Sequence, residues 1–460
     1  MKDPDLKHIA LFIAVLAGFI TPFDVSAVTI ALPTISSEFA MDAVALTWVS
    51  TAYLLAAGVF LVPFGRIADI KGRKKIFIAG LSLFILASFT MVFSVSTLMV
   101  IILRVMQGTG AALIFGTSVA ILTEVTPVTE RGKALGIYTT AVYLGLSLGP
   151  FIGGFLTSTF GWRSIFLVNV PIGLFAIFLI MRYLKGEWAD SKGDRFDIGG
   201  SIQYGLTLIC VIYGFSLLPD RQGFILLLAG AVMLAVFILR ELRISYPLLN
   251  MTLIARNRVF AFSSLAALIN YASTFSIAFF LSLYLQYNKG FSADAAGTIL
   301  IVQPVLQAVF SPWAGRLSDR IEPGKIASAG MAILATGLAM LAMVSADTPL
   351  PFLITVLAIL GFGFALFSSP NTNAIMSSVE KKYLGIASGM LGTMRLVGQM
   401  LSMGIATMII AIFVGRVVIT PDAYGSLLMA AKAGFTLFAC MSLAGIFFSL
   451  SRGKLRDGTK

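Results

Sequence analysis

Apolar runs long enough to cross a lipid bilayer recur along this chain, broken by short charged or Pro- and Gly-containing segments. Crossing the hydrocarbon core takes roughly 20 residues of helix. Inside it, every backbone amide must find its partner within the segment. Fourteen such runs begin near Ile9, Leu46, Ile76, Leu98, Leu135, Ser164, Ile198, Gly223, Phe260, Ala295, Ile326, Pro351, Gly385 and Leu427. The 460 residues are 58% hydrophobic and only 12% charged, against about 25% charged in soluble domains. The fold class expected is therefore an all-α polytopic membrane protein with fourteen transmembrane helices. The first run is too long for the apolar core of a signal peptide, and no cleavable signal is expected. Cys210 and Cys440 both fall in apolar runs. Neither a disulfide framework nor a metal site is indicated, and no cofactor is expected.

The runs group as six, two and six. A charged connection, 185–195, precedes spans seven and eight, and a basic stretch, 240–258, precedes the last six. This divides the chain into an N-terminal six-helix bundle (1–190), a two-helix insertion (191–245) and a C-terminal six-helix bundle (246–460). The positive-inside rule orients it. Of the 33 Lys and Arg, the side that carries the termini holds 26, Arg104 and Arg395 fall within the spans, and the other side holds only Arg163, Arg221, Lys289, Arg416 and Lys432. Both termini are expected in the cytoplasm, with the protein in the cell membrane. The net charge of +12 is thus a topology signal. No soluble basic domain exists to bind nucleic acid, so no such partner is expected. A repeat supports the partition: Gly65-Arg66-Ile67-Ala68-Asp69, after span two, recurs as Gly315-Arg316-Leu317-Ser318-Asp319 after span ten. Internal repeats of bundles are how transporters build alternating access.

Asp24 is the one acid deep inside an apolar run. A carboxylate there costs about 2.5–3.5 kcal/mol on insertion scales unless protonated, paired or wet, and its expected use is carrying a proton. Arg104, in Leu103-Arg104-Val105-Met106-Gln107-Gly108-Thr109-Gly110 of span four, either pairs with it or snorkels to the interface. Gly145, Gly149 and Gly153 recur every four residues in span five and line one helical face. Together with Pro150 and Gly154 they suit close crossing and a bend. In the loop after span two, Gly65 allows close helix approach and Gly72 a tight turn. Asp69 either caps the next helix or pairs with a basic neighbour. The charged contacts of this loop, Arg73 among them, either latch one face shut or only set topology; the second copy, with Gly315 and Asp319, favours the latch. Arg395 in span thirteen attracts an anionic group, anchors a network with Gln399, or pairs with carbonyls or waters. Asn270, Gln303, Asn371 and Asn373 either line a cavity or join helices.

Together these motifs resemble the major facilitator superfamily. The loop is similar to that family's G-x-x-x-D-x-x-G-R-K, span four to its R-x-x-Q-G-x-G, and span five to the G-x-x-x-G-P-x-x-G-G of its drug–proton antiporters. Phe23-Asp24-Val25-Ser26-Ala27-Val28-Thr29-Ile30-Ala31-Leu32-Pro33 is similar to the first span of the fourteen-span, EmrB/QacA-type branch. So are Trp48-Val49-Ser50-Thr51-Ala52-Tyr53 and Trp162-Arg163 with Phe166 and Asn169-Val170-Pro171-Ile172-Gly173. The resemblance covers essentially the whole chain. It implies the major facilitator fold and a monomer in the bilayer. It also implies proton-coupled export of amphiphilic or lipophilic small molecules by alternating access, with the span-five motif tied to export. Departures are Thr29 where the branch usually has Asn, and a second half without an intramembrane acid. Span ten offers Gln303 and Gln307 where some members that handle dications have an acid, which argues against a dicationic substrate. The alternative is an exporter of a native metabolite, lipid or organic anion, with Arg395 reading the substrate. A polytopic membrane enzyme would need a nucleophile–base pair, a metal cluster or several membrane-edge acids, and none stands out.

Overall fold

The computed structural model describes residues 4–127, 130–184, 186–189, 193–244, 248, 257–380 and 384–453. Parts of both charged connections, 185–195 and 240–258, therefore lie outside the described residues. Every expected run is a helix. The spans, one to fourteen, are Lys7–Glu38, Ala43–Lys71, Arg73–Met91, Thr97–Val125, Arg131–Phe160, Arg163–Tyr183, Ile198–Ser216, Arg221–Glu241, Arg258–Asn288, Ala293–Arg320, Pro323–Leu341, Leu350–Ser377, Gly385–Phe413 and Pro421–Leu450. Several helices start before their apolar runs because a polar side chain satisfies the first free amides. Asp42 accepts from the Ala45 amide at 2.8 Å and Asn257 from Phe260 at 2.9 Å.

Packing repeats with the offset the motif repeat predicts. Span one lies on spans five and six, two on four, and three on four and six. Eight spans later, nine lies on thirteen and fourteen, ten on twelve, and eleven on twelve and fourteen. These are two six-helix bundles of one design. Spans seven and eight pair with each other, and span seven rests on span two of one bundle and span thirteen of the other. Tyr204 donates to the Gly58 carbonyl at 3.1 Å, and Arg416 to the Ser216 carbonyl at 3.2 Å. The insertion thus lies across the seam between the bundles.

Fourteen crossings put Lys7 and Leu450, the outer ends of the first and last spans, on one face, called here the terminal face. Hydrogen bonds between the bundles, among the described residues, run from mid-depth to the opposite, far face. There Ser282 donates to the Thr29 carbonyl at 3.1 Å, Gln286 to Ile30 at 3.0 Å, and the Ala43 amide to Val417 at 2.8 Å. The innermost such bond joins Tyr143 and Ser368 at 2.6 Å.

Spans nine and ten are interrupted. Span nine runs Arg258–Thr274, then Ile277–Leu283, and ends in a π-helical turn, Tyr284–Asn288. The freed amide of Ser276 bonds the Ser402 hydroxyl at 3.0 Å. Ser273 and Thr274 bond back to the Asn270 carbonyl at 3.0 and 2.7 Å, competition that bends helices. Span ten runs Ala293–Leu300, then Val302–Arg320. Pro304 explains that break: it has no amide for the Leu300 carbonyl and its ring crowds that oxygen.

Candidate functional site

The first bundle holds a sealed polar cluster. Asp24 and Arg104 form an ion pair at 2.5 Å between Oδ2 and Nη1. The other carboxylate oxygen accepts from Asn169 at 2.9 Å and Gln107 at 3.4 Å. Arg104 also donates to the Gln107 side-chain oxygen at 2.9 Å and to the Val49 carbonyl at 2.9 Å. Gln107 donates in turn to Ser88 at 2.8 Å. The Tyr53 ring lies 4.4 Å from the guanidinium carbon. Spans one, two, three, four and six all contribute, and Asp24, Arg104, Gln107 and Asn169 are each 0% exposed. Arg104 therefore does not snorkel. Glycines allow the approach: a Cβ at Gly108 would collide with the Tyr53 carbonyl, and one at Gly110 would lie 2.8 Å from the Gly80 carbonyl oxygen. Taking two ions out of water costs several kcal/mol each, which the dense hydrogen bonding here offsets. Asn169 and Tyr53 fell within recognised motifs but had no assigned role. The available signal for Asn169 was a lone amide in mid-run.

A cavity of about 120 Å³ lies between the bundles. Gln303, Gln307, Arg395, Gln399, Tyr143 and Tyr271 supply most of its polar wall, and Ser26 of span one also lines it. Both helix breaks open onto it, through Thr274 and Phe275 of span nine and Leu300 and Pro304 of span ten. Unwound helices at mid-membrane are where transporters place binding groups. Arg395 stands 5.5 Å from the Tyr143 ring and 5.3 Å from the Tyr271 ring, and donates to the Tyr143 hydroxyl at 3.4 Å.

Of the expected cavity residues, Gln303 and Arg395 line it, while Asn270 and Asn371 stand elsewhere. The cavity face of span nine runs through Tyr271, Thr274, Phe275 and Ala278 at helical spacing, leaving Asn270 buried with neither amide atom hydrogen-bonded. Asn371 joins helices inside the second bundle, donating to the Ser263 carbonyl and accepting from Arg452, both at 3.0 Å. Asn373 donates to Ser318 at 2.8 Å and Asp319 at 3.3 Å.

The loop after span two has the turn its glycine implied, with Gly72 at φ 117°. Asp69 pairs with Arg73 at 2.7 Å. The connection toward the insertion clasps this loop. Arg66 pairs with Asp194 at 2.8 Å, Glu187 accepts from the Lys74 amide at 2.7 Å, and the Arg73 amide donates to Trp188 at 2.9 Å. Close approach at Gly65 was the expectation, yet a Cβ there would meet nothing within 4 Å. Gly116 of span four faces Gly65, and a Cβ on Gly116 would sit in ordinary contact, 3.4 Å from the Gly65 Cα. In the second copy, a Cβ at Gly315 would lie 2.9 Å from Ser369.

The span-five motif faces two ways. Side chains at Gly145, Gly149 and Gly153 would strike span one at Phe19, Ser26 and Ala27. Gly154 and Pro150 instead meet span ten of the other bundle. A Cβ at Gly154 would lie 2.5 Å from the Ala293 carbonyl oxygen, and one at Gly297 would collide with the Pro150 carbonyl.

The family model described as Major Facilitator Superfamily matches residues 14–262 and 263–457. The chain belongs to this superfamily. This facilitator is 31% identical over 392 residues to the riboflavin transporter RibZ of Clostridioides difficile, covering 85% of each chain. It is 29% identical over 402 residues to the multidrug resistance protein Stp of Mycobacterium tuberculosis strain H37Rv, covering 86% of this chain and 74% of the other. Among solved structures it is similar to a bacterial homologue of the human lysosomal transporter Spinster, captured inward-facing and unoccupied. The TM-score there is 0.68 at 17% identity, over 100% of this chain and 99% of the other, a likeness of fold. The facilitator is a membrane transporter, and its function is transport, not catalysis.

Proposed function

We propose that this facilitator exports amphiphilic or lipophilic small molecules from the cytoplasm in exchange for protons, with Asp24 as the proton carrier. The bundles would be 1–190 and 246–460, joined by the insertion 191–245. The basic residues of the terminal face support a cytoplasmic position for that face. The arrangement described, joined on the far face, is then inward-facing. Similarity to the multidrug resistance protein Stp supports export.

The observation that carries the reading is the Asp24–Arg104 pair. An ion pair fully enclosed in protein can exchange a proton only when the helices around it part. Facing outward, Asp24 takes a proton. The neutral acid holds Arg104 less strongly, and the bundles move to the inward arrangement. Substrate enters from the cytoplasm or the inner leaflet, and proton release inward resets the cycle. Ser26 lines the cavity two residues beyond Asp24 on the same helix, so span one links proton site and cavity. Gly65, Asp69, Gly72 and Arg73, with Gly315 and Asp319, act as the cytoplasmic latch of the outward state; the space beside Gly65 suits a surface that is covered only then. Gly154 and Pro150 form the far-face seal. Each charge crossing 100 mV contributes about 2.3 kcal/mol. Purified protein in liposomes should move fluorescent dyes uphill under an imposed pH gradient and stop when a protonophore collapses it. Continued uphill movement without the gradient would remove proton coupling.

A further inference from the structure

We infer that the cavity at the breaks of spans nine and ten selects an aromatic anion, with Arg395 as the residue that pairs with its charge. The inference rests on reading that cavity as the place where transported substrate sits. Among the described residues, Arg395 is the only charged one lining it. A guanidinium carries five N–H donors. Among the described contacts, Arg395 has one long hydrogen bond, to Tyr143 at 3.4 Å, and its buried Nε has no partner. Two tyrosine rings, Tyr143 and Tyr271, hold the cation by their faces, an attraction to the ring quadrupole. The tyrosine hydroxyls beside it are the acceptors it meets, and its Nε–H is left without one. Arginine in such a setting binds a carboxylate or similar oxyanion through two parallel bonds. The tyrosines and Phe364 would stack on a flat aromatic body. A cation would have to sit beside Arg395 with no carboxylate in the cavity wall to compensate, and like charges in a low-dielectric site repel strongly. The single deep acid, Asp24, is committed to Arg104, Gln107 and Asn169 on the other side of span one.

The test is gradient-free binding to the full chain in lipid nanodiscs, with empty nanodiscs as blank. Three probes of one shape are compared: 1-naphthoate, 1-naphthamide and 1-naphthylmethylammonium. Wild type should bind the naphthoate tightest and the ammonium weakest. Arg395→Gln should weaken naphthoate binding about tenfold, roughly one bidentate charged contact, while leaving the amide unchanged. Arg395→Lys should keep the preference for anion over amide. Should Arg395→Gln fail to fold, the order of the three probes on Arg395→Lys decides. Equal or tighter binding of the amide or ammonium to wild type, no naphthoate binding, or undiminished naphthoate binding to Arg395→Gln each overturn the inference. Since no gradient is applied, such a failure leaves proton coupling standing. Loss of proton-driven transport would equally leave the anion preference intact.

Discussion

Deleting either member of the Asp24–Arg104 pair would leave a lone charge in a fully buried cluster, a loss of about 3–5 kcal/mol. Arg104→Gln and Asp24→Asn should each lower the thermal midpoint in detergent. The double variant should regain part of that loss, because both charges go together; a double variant with the two losses simply summed would mean that the residues are not coupled. Residue chemistry in the sequence reached this pair from the cost of an isolated acid and the need of an intramembrane arginine for a partner. It did not reach Asn169 and Tyr53, because hydrogen-bond and ring partners across a bundle leave no spacing signal along the chain. Asn270 and Asn371 show the same limit from the other side. A helix that is apolar all round gives no stripe to say which face is wet, so polar residues in it are assigned to cavity or packing only once neighbours are seen.

Helices were the most legible level, since length and apolar content decide a span. The breaks in spans nine and ten were not read, although Pro304 was visible, because proline is common in membrane helices and kinks only some of them. The span-five motif shows what helix packing adds. Gly149 meets span one of its own bundle, whereas Gly154 meets the far-face piece of span ten. Gly149→Ala should therefore destabilise the fold in every state, while Gly154→Ala should shift the balance away from the far-face-closed arrangement. Cysteines placed at Ser158 and Asp294, whose side chains bond at 3.1 Å, report that closure by disulfide formation. The Gly154→Ala background should cross-link more slowly at unchanged thermal stability; equal cross-linking would mean that Gly154 is packing alone.

On the proposed function, the whole molecule would couple a proton site inside one bundle to a cavity between the two. If the exported molecule is a monoanion and one proton returns for each, both movements carry positive charge inward. An inside-negative potential then drives the cycle through both steps, about 4.6 kcal/mol per 100 mV at 2.3 for each charge. A monocation exchanged for one proton would move no net charge. Export of 1-naphthoate in liposomes clamped with valinomycin should accelerate with inside-negative potential at fixed pH; an unchanged rate would contradict an electrogenic cycle. The insertion, resting on spans two and thirteen, would have to yield along that seam as the bundles rock. The most direct test of proton coupling is transport by Asp24→Asn beside wild type in the same liposomes. With a pH gradient imposed, wild type should accumulate substrate uphill. The variant should lose uphill accumulation entirely while still equilibrating substrate downhill. Undiminished uphill transport by Asp24→Asn would contradict Asp24 as the proton carrier.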